Sequence, residues 1–295
     1  MGISFRSFLR RHAALIALAF LVAAASFTWR VALARSGELT VHVLNVGQGD
    51  AIYFSLPDGT QVLIDGGPDA SVLGELSEVM PPWDFSLDLV ILTHPDADHL
   101  AGLLDVLERY EVAAILETGI RKETKLSASW NEAVLREGAR VLVVDRPQRI
   151  SFGDVAALDL LWPQALRAGE VLDKPNEYAV VSRLVYGETS LLLTADIERW
   201  TEGQLVATLP ADLLRSDILK VAHHGSKTSS SEIFLNVVDP EVALISVGEG
   251  NRYGHPHASV LARLVKLGIP FVRTDEAGRI TVHSDGRIFS VDKEY

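Results

Sequence analysis

The sequence contains no cysteine among its 295 residues, and this absence removes several kinds of site. Disulfide scaffolds, zinc ribbons, thiolate nucleophiles and iron–sulfur clusters all require cysteine. Any bound metal must therefore be held by histidine, aspartate, glutamate or backbone oxygen. With 48% hydrophobic and 22% charged residues, the composition also excludes an intrinsically disordered or collagen-like chain.

Positive charge is scarce as well, because 39 acidic residues outnumber 27 lysines and arginines and give a net charge of −12. Such an acidic protein does not attract nucleic acid with its whole surface, since that binding depends on neutralising phosphates. A local basic groove, or metal ions that offset the acidic charge, would still permit it. Five basic residues near the polar motifs are expected either to meet phosphates or to be solvated surface charge: Lys220, Lys227, Arg252, Arg263 and Lys266.

The first 34 residues contain arginine but no acidic residue. Three of these arginines precede an apolar run over residues 13–29, a pattern typical of a signal peptide or signal anchor. A buried core helix is disfavoured because the run has no polar face. We predict that residues 1–34 form a signal peptide or a single N-terminal membrane anchor, with both possibilities open. The body is then extracytoplasmic: periplasmic, secreted or anchored to the membrane.

Residues 38–295 are predicted to form one domain in which strands and helices alternate. Pro57-Asp58-Gly59 lies between two strand patterns and predicts a hairpin. Strands are predicted over residues 39–46, 51–56, 61–64, 87–93, 113–117, 140–144, 155–161, 179–186, 190–194, 218–221, 242–247, 270–273 and 279–283. Helices are predicted over residues 99–110, 127–137, 197–205, 231–237 and 258–267. This alternation favours two mixed sheets covered by helices.

The strongest local signal is the sequence Thr-His-Pro-Asp-Ala-Asp-His at residues 93–99. Four side chains that can bind metal lie in it, between a predicted buried strand and a predicted helix: His94, Asp96, Asp98 and His99. Loops after strands can aim several side chains at one point, and two carboxylates and two imidazoles this close need a cation between them. Helix capping would account for the acids but not for both histidines. The cluster therefore predicts a metal site.

Other polar residues follow predicted strands in the same way. They are Asp65, Asp196, His223 and His224, and two more histidines, His255 and His257, lie on a loop before the last long predicted helix. Taken singly, Asp196 could cap the next helix and Asp65 could shape a turn. Two adjacent histidines are harder to explain in such terms. Together these side chains are sufficient for two metal ions.

Six motifs in this order resemble the metallo-β-lactamase-fold domain of ComEC-type competence proteins. They are VGQGDA (46–51), LIDGG (63–67), THPDADHLAGL (93–103), LLTADIE (192–198), LKVAHHGSKTSS (219–230) and SVGEGNRYGHPH (246–257). In addition, RTDEAGRITV (273–282) matches the family's carboxy-terminal strand pair. The resemblance covers nearly the whole body. It implies an α/β (α+β) fold, an αββα sandwich of two mixed sheets flanked by helices, with a metal centre where the sheets meet.

The resemblance also implies roles for individual residues. Metal ligands are expected at His94, Asp96, Asp98, His99, Asp196 and His223, with His224 as the alternative to His223. Asp98 is expected to help hold the attacking hydroxide, and His255 to lie near the substrate or its leaving group. Residues expected to orient the ligands or to line the substrate side are Asp50, Asp65, Asn176, His224 and His257. The implied cofactors are two divalent metal ions, zinc or manganese.

The function implied by the resemblance is that of a binuclear metal-dependent hydrolase, a phosphodiesterase or nuclease acting on DNA outside the cytoplasm through a metal-bound hydroxide. Expected partners are single-stranded DNA or another phosphodiester, and the membrane if the N-terminal segment is uncleaved, with no obligate protein partner. The alternatives are a small phosphoester (headgroup) esterase and a non-catalytic DNA-binding component of an uptake system. β-Lactam hydrolysis is disfavoured, because enzymes of that branch usually have a histidine in place of Asp96.

Overall fold

Two large sheets lie at the centre of this computed structural model, which describes residues 12, 13, 15, 17–26, 37–164, 169 and 174–295. Much of the predicted 1–34 segment lies outside the described residues, and those described within it are helical. In the part of the chain that the structure describes, no helix is both long and apolar enough to cross a membrane. The signal peptide or membrane anchor therefore stays a prediction.

Strands and helices alternate from residue 39 onward. The strands are β1 (Leu39–Val43), β2 (Ile52–Ser55), β3 (Gln61–Ile64), β4 (Ser86–Leu87), β5 (Leu89–Leu92), β6 (Glu111–Val112), β7 (Ala114–Glu117), β8 (Arg140–Val143), β9 (Gln148–Phe152), β10 (Ala156–Trp162), β11 (Val181–Tyr186), β12 (Thr189–Leu193), β13 (Ile218–Lys220), β14 (Val242–Ile245), β15 (Phe271–Arg273), β16 (Ile280–Ser284) and β17 (Phe289–Lys293). The helices are α1 (Ser71–Val79), α2 (Ala97–Arg109), α3 (Lys125–Glu137), α4 (Arg199–Thr208), α5 (Ala211–Leu214), α6 (Glu232–Val238), α7 (Ala258–Lys266) and α8 (Thr274–Ala277). Two 3₁₀ turns cover Pro175–Tyr178 and Ala222–Gly225.

The first sheet contains eight strands in the order β17-β16-β1-β2-β3-β5-β7-β8. Pairing is antiparallel from β17 to β3 and parallel from β3 to β8. The predicted hairpin is confirmed, because Ile52 in β2 lies opposite Ile64 in β3. The carboxyl ends of β3 and β5, which are parallel neighbours, lead into Asp65 and into the 93–99 loop.

The second sheet contains seven strands in the order β15-β14-β13-β12-β11-β10-β9. Strands β12 to β15 pair in parallel, and β9 to β12 pair antiparallel. Every residue of β12 and β13 is buried, as expected of central strands that are covered on both faces. The carboxyl ends of β12 and β13 lead into Asp196 and His223, so each sheet presents polar residues where its parallel strands end.

Three apolar clusters separate the layers. One cluster joins the facing sides of the two sheets, with Val41 and Phe54 from the first and Leu158 and Leu184 from the second. A second cluster contains residues of the second sheet and of α4 to α7. A third contains residues of the first sheet and of α1 to α3. The layers are thus helix, sheet, sheet and helix, which confirms the predicted αββα sandwich.

Some elements are not predicted by the sequence patterns, namely α1, the short helices α5 and α8, the short pair β4–β6, and the edge strands β9 and β17. Neither edge strand contains a fully buried residue. An edge strand with so little burial does not need the apolar alternation that reveals an interior strand. The missed strands therefore lie where the sequence carries the weakest signal.

Candidate metal centre

The polar motifs of the two sheets meet at one edge of the sandwich. Across the sheets, His99 Nε2 lies 3.3 Å from Asp196 Oδ1, and His224 Nε2 lies 3.5 Å from Asp98 Oδ2. Four residues, Asp98, His99, Asp196 and His224, each offer one ligand atom within 4.8 Å of the others. We call these four residues the central cluster. It draws two members from each sheet.

The 93–99 loop connects β5 to α2 and places four predicted ligands. His94 and His99 are fully buried, and their rings lie 4.2 Å apart between centroids. Asp98 lies in the first turn of α2, where a negative charge interacts favourably with the helix dipole. Asp96 occupies the N-cap position, but its side chain makes no capping hydrogen bond. Capping therefore does not explain the acid at this position.

Asp65 fixes the orientation of this loop. Its Oδ1 accepts a hydrogen bond from the Thr93 backbone N–H at 2.8 Å, and its Oδ2 accepts one from the Thr93 hydroxyl at 2.7 Å. Oδ2 also lies 2.7 Å from His99 Nδ1. An imidazole that donates from Nδ1 presents its Nε2 lone pair to the other side. Asp65 therefore turns the Nε2 of His99 toward the central cluster.

Close backbone approach sets the position of α2 beside the Asp65 loop. The N–H of Gly66 donates to the His99 carbonyl at 2.7 Å. A Cβ atom at Gly102 would collide with the carbonyl oxygens of Gly66 and Asp69. Glycine at this position of α2 thus lets the helix start close enough for His99 and Asp98 to reach the centre.

Asp196 lies between the histidines of both sheets. It is 2% exposed, and its Oδ2 lies 3.5 Å from His224 Nε2 and 3.6 Å from His223 Nε2. Helix α4 begins at Arg199 with Glu198 as its N-cap residue. Asp196 is therefore not the cap of that helix, and its carboxylate is available to the cluster.

Both adjacent histidines have a left-handed backbone, with φ of 51° at His223 and 52° at His224, and their rings lie 6.2 Å apart at an angle of 73°. His224 is buried, and its Nδ1 lies 2.9 Å from the Ser246 carbonyl, which leaves Nε2 facing the cluster. His223 keeps 22% of its side chain exposed and its Nδ1 lies 3.5 Å from Glu198. The structure thus places His224 within the central cluster and His223, the predicted ligand, beside it.

Several buried polar atoms of this site have no hydrogen-bond partner among the described residues. They are the Nε2 atoms of His94, His99 and His224, the Nδ1 atoms of His223 and His255, and Oδ1 of Asp50 and Asp196. Leaving one such atom unsatisfied costs about 1–3 kcal/mol. Imidazole nitrogens and carboxylate oxygens are the donors that zinc and manganese accept. The donor set therefore fits a divalent cation, as the sequence predicts.

The charges of the central cluster stabilise one another. Burial lowers the pKa of His99, but the carboxylates of Asp196 and Asp65 outweigh it and raise that pKa well above its ordinary value. Burial raises the pKa of Asp98, but the nearby imidazoles of His224 and His99 lower it to about 2. The protein thus keeps its carboxylates ionised at neutral pH, and an ionised carboxylate is the form that binds a cation.

Asp50 and Lys220 form a buried ion pair behind the cluster. Both side chains are fully buried, and Lys220 Nζ donates to Asp50 Oδ2. Oδ1 of the same carboxylate lies 3.3 Å from His224 Nδ1. Asp50 thus holds the His224 ring on the side away from the central cluster. The expectation for Lys220 is wrong: it is neither a phosphate contact nor a solvated surface charge, because β13 is buried along its whole length.

The side chains of two other basic residues also have partners within the protein. Arg263 donates to the backbone carbonyls of Ser229 and Ser230, and Lys266 pairs with Glu232 at 2.8 Å. Of the five basic residues near the motifs, Lys227 and Arg252 have exposed side chains without a carboxylate partner among the described ion pairs.

The remaining predicted residues lie at different distances from the cluster. The half-buried ring of His255 lies 5.7 Å from that of His223, so His255 is at the cluster. His257 is the N-cap of α7, where its Nδ1 accepts from the Ser259 N–H at 3.2 Å. Asn176 lies in a 3₁₀ turn, where its carbonyl accepts from the Ala179 N–H at 3.2 Å. The described hydrogen bonds connect neither His257 nor Asn176 to the central cluster.

Asp96 has a partner that the sequence analysis missed. Lys122, on the loop after β7, donates to Asp96 Oδ1 at 2.8 Å, while Asp96 Oδ2 lies 4.0 Å from His94 Nε2. One oxygen of Asp96 thus pairs with an ammonium and the other faces His94. The pairing has no local sequence signal, because 26 residues separate the partners.

Comparison with known proteins places this site in a family. The sequence model of the metallo-beta-lactamase superfamily matches residues 44–249. ComE operon protein 3 of Bacillus subtilis is 32% identical over 286 residues, and the match covers 88% of this chain and 35% of that protein. Competence protein ComA of Neisseria gonorrhoeae is 30% identical over 262 residues, which cover 89% of this chain and 35% of that protein. The chain thus spans little more than a third of the length of these relatives.

Solved structures agree on the fold. The metallo hydrolase Igni18 of Ignicoccus hospitalis superposes with a TM-score of 0.53 at 14% identity, covering 82% of this chain and 98% of that chain. A structural similarity at such low sequence identity shows a shared fold. The family match lies over the segments that carry Asp50, Asp65, the 93–99 loop, Asp196 and both adjacent histidines. The chain belongs to the metallo-beta-lactamase superfamily of metal-dependent hydrolases and is related to the ComEC-type competence proteins.

Proposed function

We propose that this chain is a binuclear metal-dependent phosphodiesterase that cleaves DNA outside the cytoplasm. The observation that carries the proposal is the group of buried, unpartnered nitrogen and oxygen atoms at the junction of the two sheets. A stabilising role does not explain them, because unsatisfied buried polar atoms destabilise a fold. A site for cations does.

The central cluster would hold one cation. His94 and Asp96, whose Nε2 and Oδ2 atoms lie 4.0 Å apart, would contribute to a second. Bound divalent ions supply activation of water and neutralise the charge that develops on phosphoryl oxygens. The chain itself does the positioning. Asp65 holds the His99 ring, and Asp50 with the Ser246 carbonyl holds the His224 ring.

In this proposal, His255 contacts the substrate. Its ring lies at the edge of the cluster, 5.7 Å from His223 and 6.5 Å from His224 between centroids. Burial and the positive charges of His224 and His223 lower the pKa of His255 to about 4. A neutral imidazole carries one N–H donor and one acceptor. At neutral pH it can therefore donate a hydrogen bond to an oxygen of the phosphodiester or its leaving group.

DNA as the substrate is supported by similarity to competence proteins, whose ComEC-type members act in DNA uptake at the cell envelope. Placement outside the cytoplasm is supported by the arginines and the apolar run of residues 1–34. If that segment is uncleaved, the membrane is a further partner. Cations in the cluster would also offset the acidic charge that otherwise repels a nucleic acid.

The test uses the full chain, stripped with a chelator and reloaded with zinc or manganese. Elemental analysis counts the bound ions, and hydrolysis is followed on labelled single-stranded DNA and on bis-p-nitrophenyl phosphate. About two ions per chain with cleavage of both substrates is the expected result. Cleavage of the small ester alone would replace the nuclease with a small phosphoester esterase. A folded chain that takes up metal and cleaves neither substrate would be a non-catalytic component.

A further inference from the structure

The loop between β14 and α7 carries a stack of flat side chains that leads from the cluster to the surface. The ring of Tyr253 stacks on that of His255 at 5.8 Å and 24°. His255 in turn stacks on His224 at 6.5 Å and 30°. The guanidinium carbon of Arg252 lies 5.0 Å from the centre of the Tyr253 ring. Flat groups therefore continue outward from a member of the central cluster.

The outer end of this stack is open to solvent. Tyr253 is 54% exposed, and Arg252 is exposed beside it. The described partner of the Arg252 guanidinium is the Tyr253 hydroxyl, to which Nη2 donates at 2.9 Å. In a chain with 39 acidic residues, an arginine that rests on an aromatic ring rather than on a carboxylate remains available to an anion.

Asn251 holds the loop in this shape. Its Nδ2 donates to the carbonyls of Gly248 at 3.0 Å and His255 at 2.6 Å. Its Oδ1 accepts from the N–H groups of Tyr253 at 3.2 Å and His255 at 3.0 Å. One amide thus fixes both ends of the segment that presents the two rings. A surface ordered in advance loses less entropy when it binds a ligand.

We propose that Arg252 and Tyr253 form a binding strip for single-stranded nucleic acid. A base stacks on the exposed part of Tyr253, and a phosphate of the same strand pairs with Arg252. Aromatic stacking and arginine contacts are the two means by which proteins hold single strands without reading their sequence. His255 lies between the strip and the central cluster, so the strand continues from the strip into the site. The choice of ligand rests on the proposed function.

The charge of the strip selects among phosphoesters. A quaternary-ammonium headgroup is a cation, and the exposed guanidinium of Arg252 beside Tyr253 repels it. A single-stranded nucleotide offers an anion and a π-face together, and it therefore complements both residues. Duplex DNA keeps its bases stacked inside and offers Tyr253 no free face.

The chain contains a matched control pair far from the site. Arg109 lies 4.7 Å from the centre of the Phe85 ring, and Phe85 is 41% exposed. Arg109 is at the carboxyl end of α2, whereas Asp98 is at its amino end. This pair repeats the arginine–aromatic contact without a stack that leads to the central cluster. Substitutions there separate the strip from a general effect of such pairs.

The experiment measures fluorescence anisotropy of a labelled phosphorothioate oligothymidine with the full chain loaded with zinc or manganese, over a range of low salt concentrations. The phosphorothioate linkages resist hydrolysis, so that binding alone is read. Tyr253→Ala should weaken binding about tenfold, the loss typical of one base–aromatic stack, and Tyr253→Trp should restore it. Arg252→Gln should reduce the slope of log affinity against log salt by about 0.7, the value for one phosphate on a single strand. Phe85→Ala and Arg109→Gln should bind as the wild type does.

Three results would overturn the strip: wild-type chain that binds no oligothymidine, Tyr253→Ala that binds it with unchanged affinity, or equal sensitivity of a duplex to this substitution. The outcomes for the proposed function are separate. A metal-loaded wild type that hydrolyses no phosphoester refutes the enzyme, yet the strip stands if Tyr253→Ala still weakens binding. Hydrolysis of DNA with binding that is insensitive to both strip residues keeps the enzyme and refutes the strip.

Discussion

Asp196 and Glu202 are two buried acids only six residues apart, and the structure treats them in opposite ways. Glu202 is fully buried in α4, and its two oxygens accept the backbone N–H groups of Ser230 and Ser231. Asp196 is as deeply buried, but its Oδ1 has no hydrogen-bond partner and its neighbours are histidines. The backbone thus satisfies both oxygens of Glu202, whereas Oδ1 of Asp196 remains available to a ligand.

This comparison shows which kind of buried carboxylate indicates a functional site. Burial raises the pKa of Glu202 despite its hydrogen bonds, and the carboxylate serves to hold the loop that follows His223 and His224. Burial also acts to raise the pKa of Asp196, but the charges of His224 and His99 hold it well below its usual range. A buried acid with satisfied oxygens stabilises the fold. A buried acid that, together with the neighbouring histidine nitrogens, lacks hydrogen-bond partners indicates a site for a ligand.

Removing the carboxylate of Asp196 should have the largest effect on activity. Asp196→Ala is expected to reduce hydrolysis of bis-p-nitrophenyl phosphate by about a thousandfold or more, the scale of losing a main electrostatic group of an active site. Its metal content should fall while the circular dichroism of the folded chain is retained. Glu202→Gln is the matched control, because it changes an equally buried acid and should keep its metal. Full turnover by Asp196→Ala would remove this carboxylate from the mechanism.

Removing the ammonium partner of the buried Asp50 should reduce the stability of the fold instead. Lys220→Met leaves Asp50 buried without its ammonium partner, and breaking such a pair costs about 3–5 kcal/mol. Urea unfolding of the metal-free chain would measure the loss. The double variant Asp50→Asn with Lys220→Met removes both charges and should recover most of it. Equal stability of the single and double variants would show that Asp50 does not need its partner.

Glu202→Gln should have a smaller effect of the same kind. The glutamine amide places a donor where two backbone N–H groups converge, and one of them loses its acceptor at a cost of about 1–3 kcal/mol. The free energy of unfolding from a urea titration would show this. Metal affinity, measured by competition with a chelator, should not change. A decrease in metal affinity would mean that the loop after His224 is part of the site rather than its support.

The smallest effect concerns a half-buried histidine whose charge no neighbouring acid stabilises. Burial, with Arg279 and His283 acting in the same direction, lowers the pKa of His42 from 6.5 to about 4. The unfolded chain therefore takes up this proton first, and stability is lost as pH falls from about 6.5 toward 4. His42→Gln should lose less stability between about pH 7 and pH 5 in urea titrations. An unchanged pH dependence would exclude His42 as a contributor.

Much of this site follows from one regularity of the sequence. Mainly apolar runs over residues 87–93 and 191–195 lead directly into His94 and Asp196, and parallel strands bring their carboxyl ends to one edge of a sheet. The αββα fold and the family were therefore predictable from ordered motifs. The metal-binding chemistry was indicated by the 93–99 loop, where two histidines and two acids have no common structural explanation.

Other features depend on contacts that the sequence does not reveal. The structure brings His224 rather than His223 into the central cluster, and adjacent identical residues carry no signal for that choice. Lys122 reaches Asp96 from a different loop. For Lys220 a signal was present, because a lysine inside the apolar run ILKVA of a central parallel strand has no solvent to reach and must find a buried partner.

The long sequence separation of Asp50 and Lys220 also determines how late in folding the site can form. The two residues are 170 apart in the chain, and the Ser246 hydroxyl bonds to the Gly49 carbonyl across 197 residues. Contacts of such long range form slowly, and during synthesis the 93–99 loop emerges well before Asp196 and His224. A cation held by the central cluster would be captured only after the two sheets have docked, because each sheet contributes two of its residues. After dilution from denaturant, the rate of metal uptake would report that last step of folding.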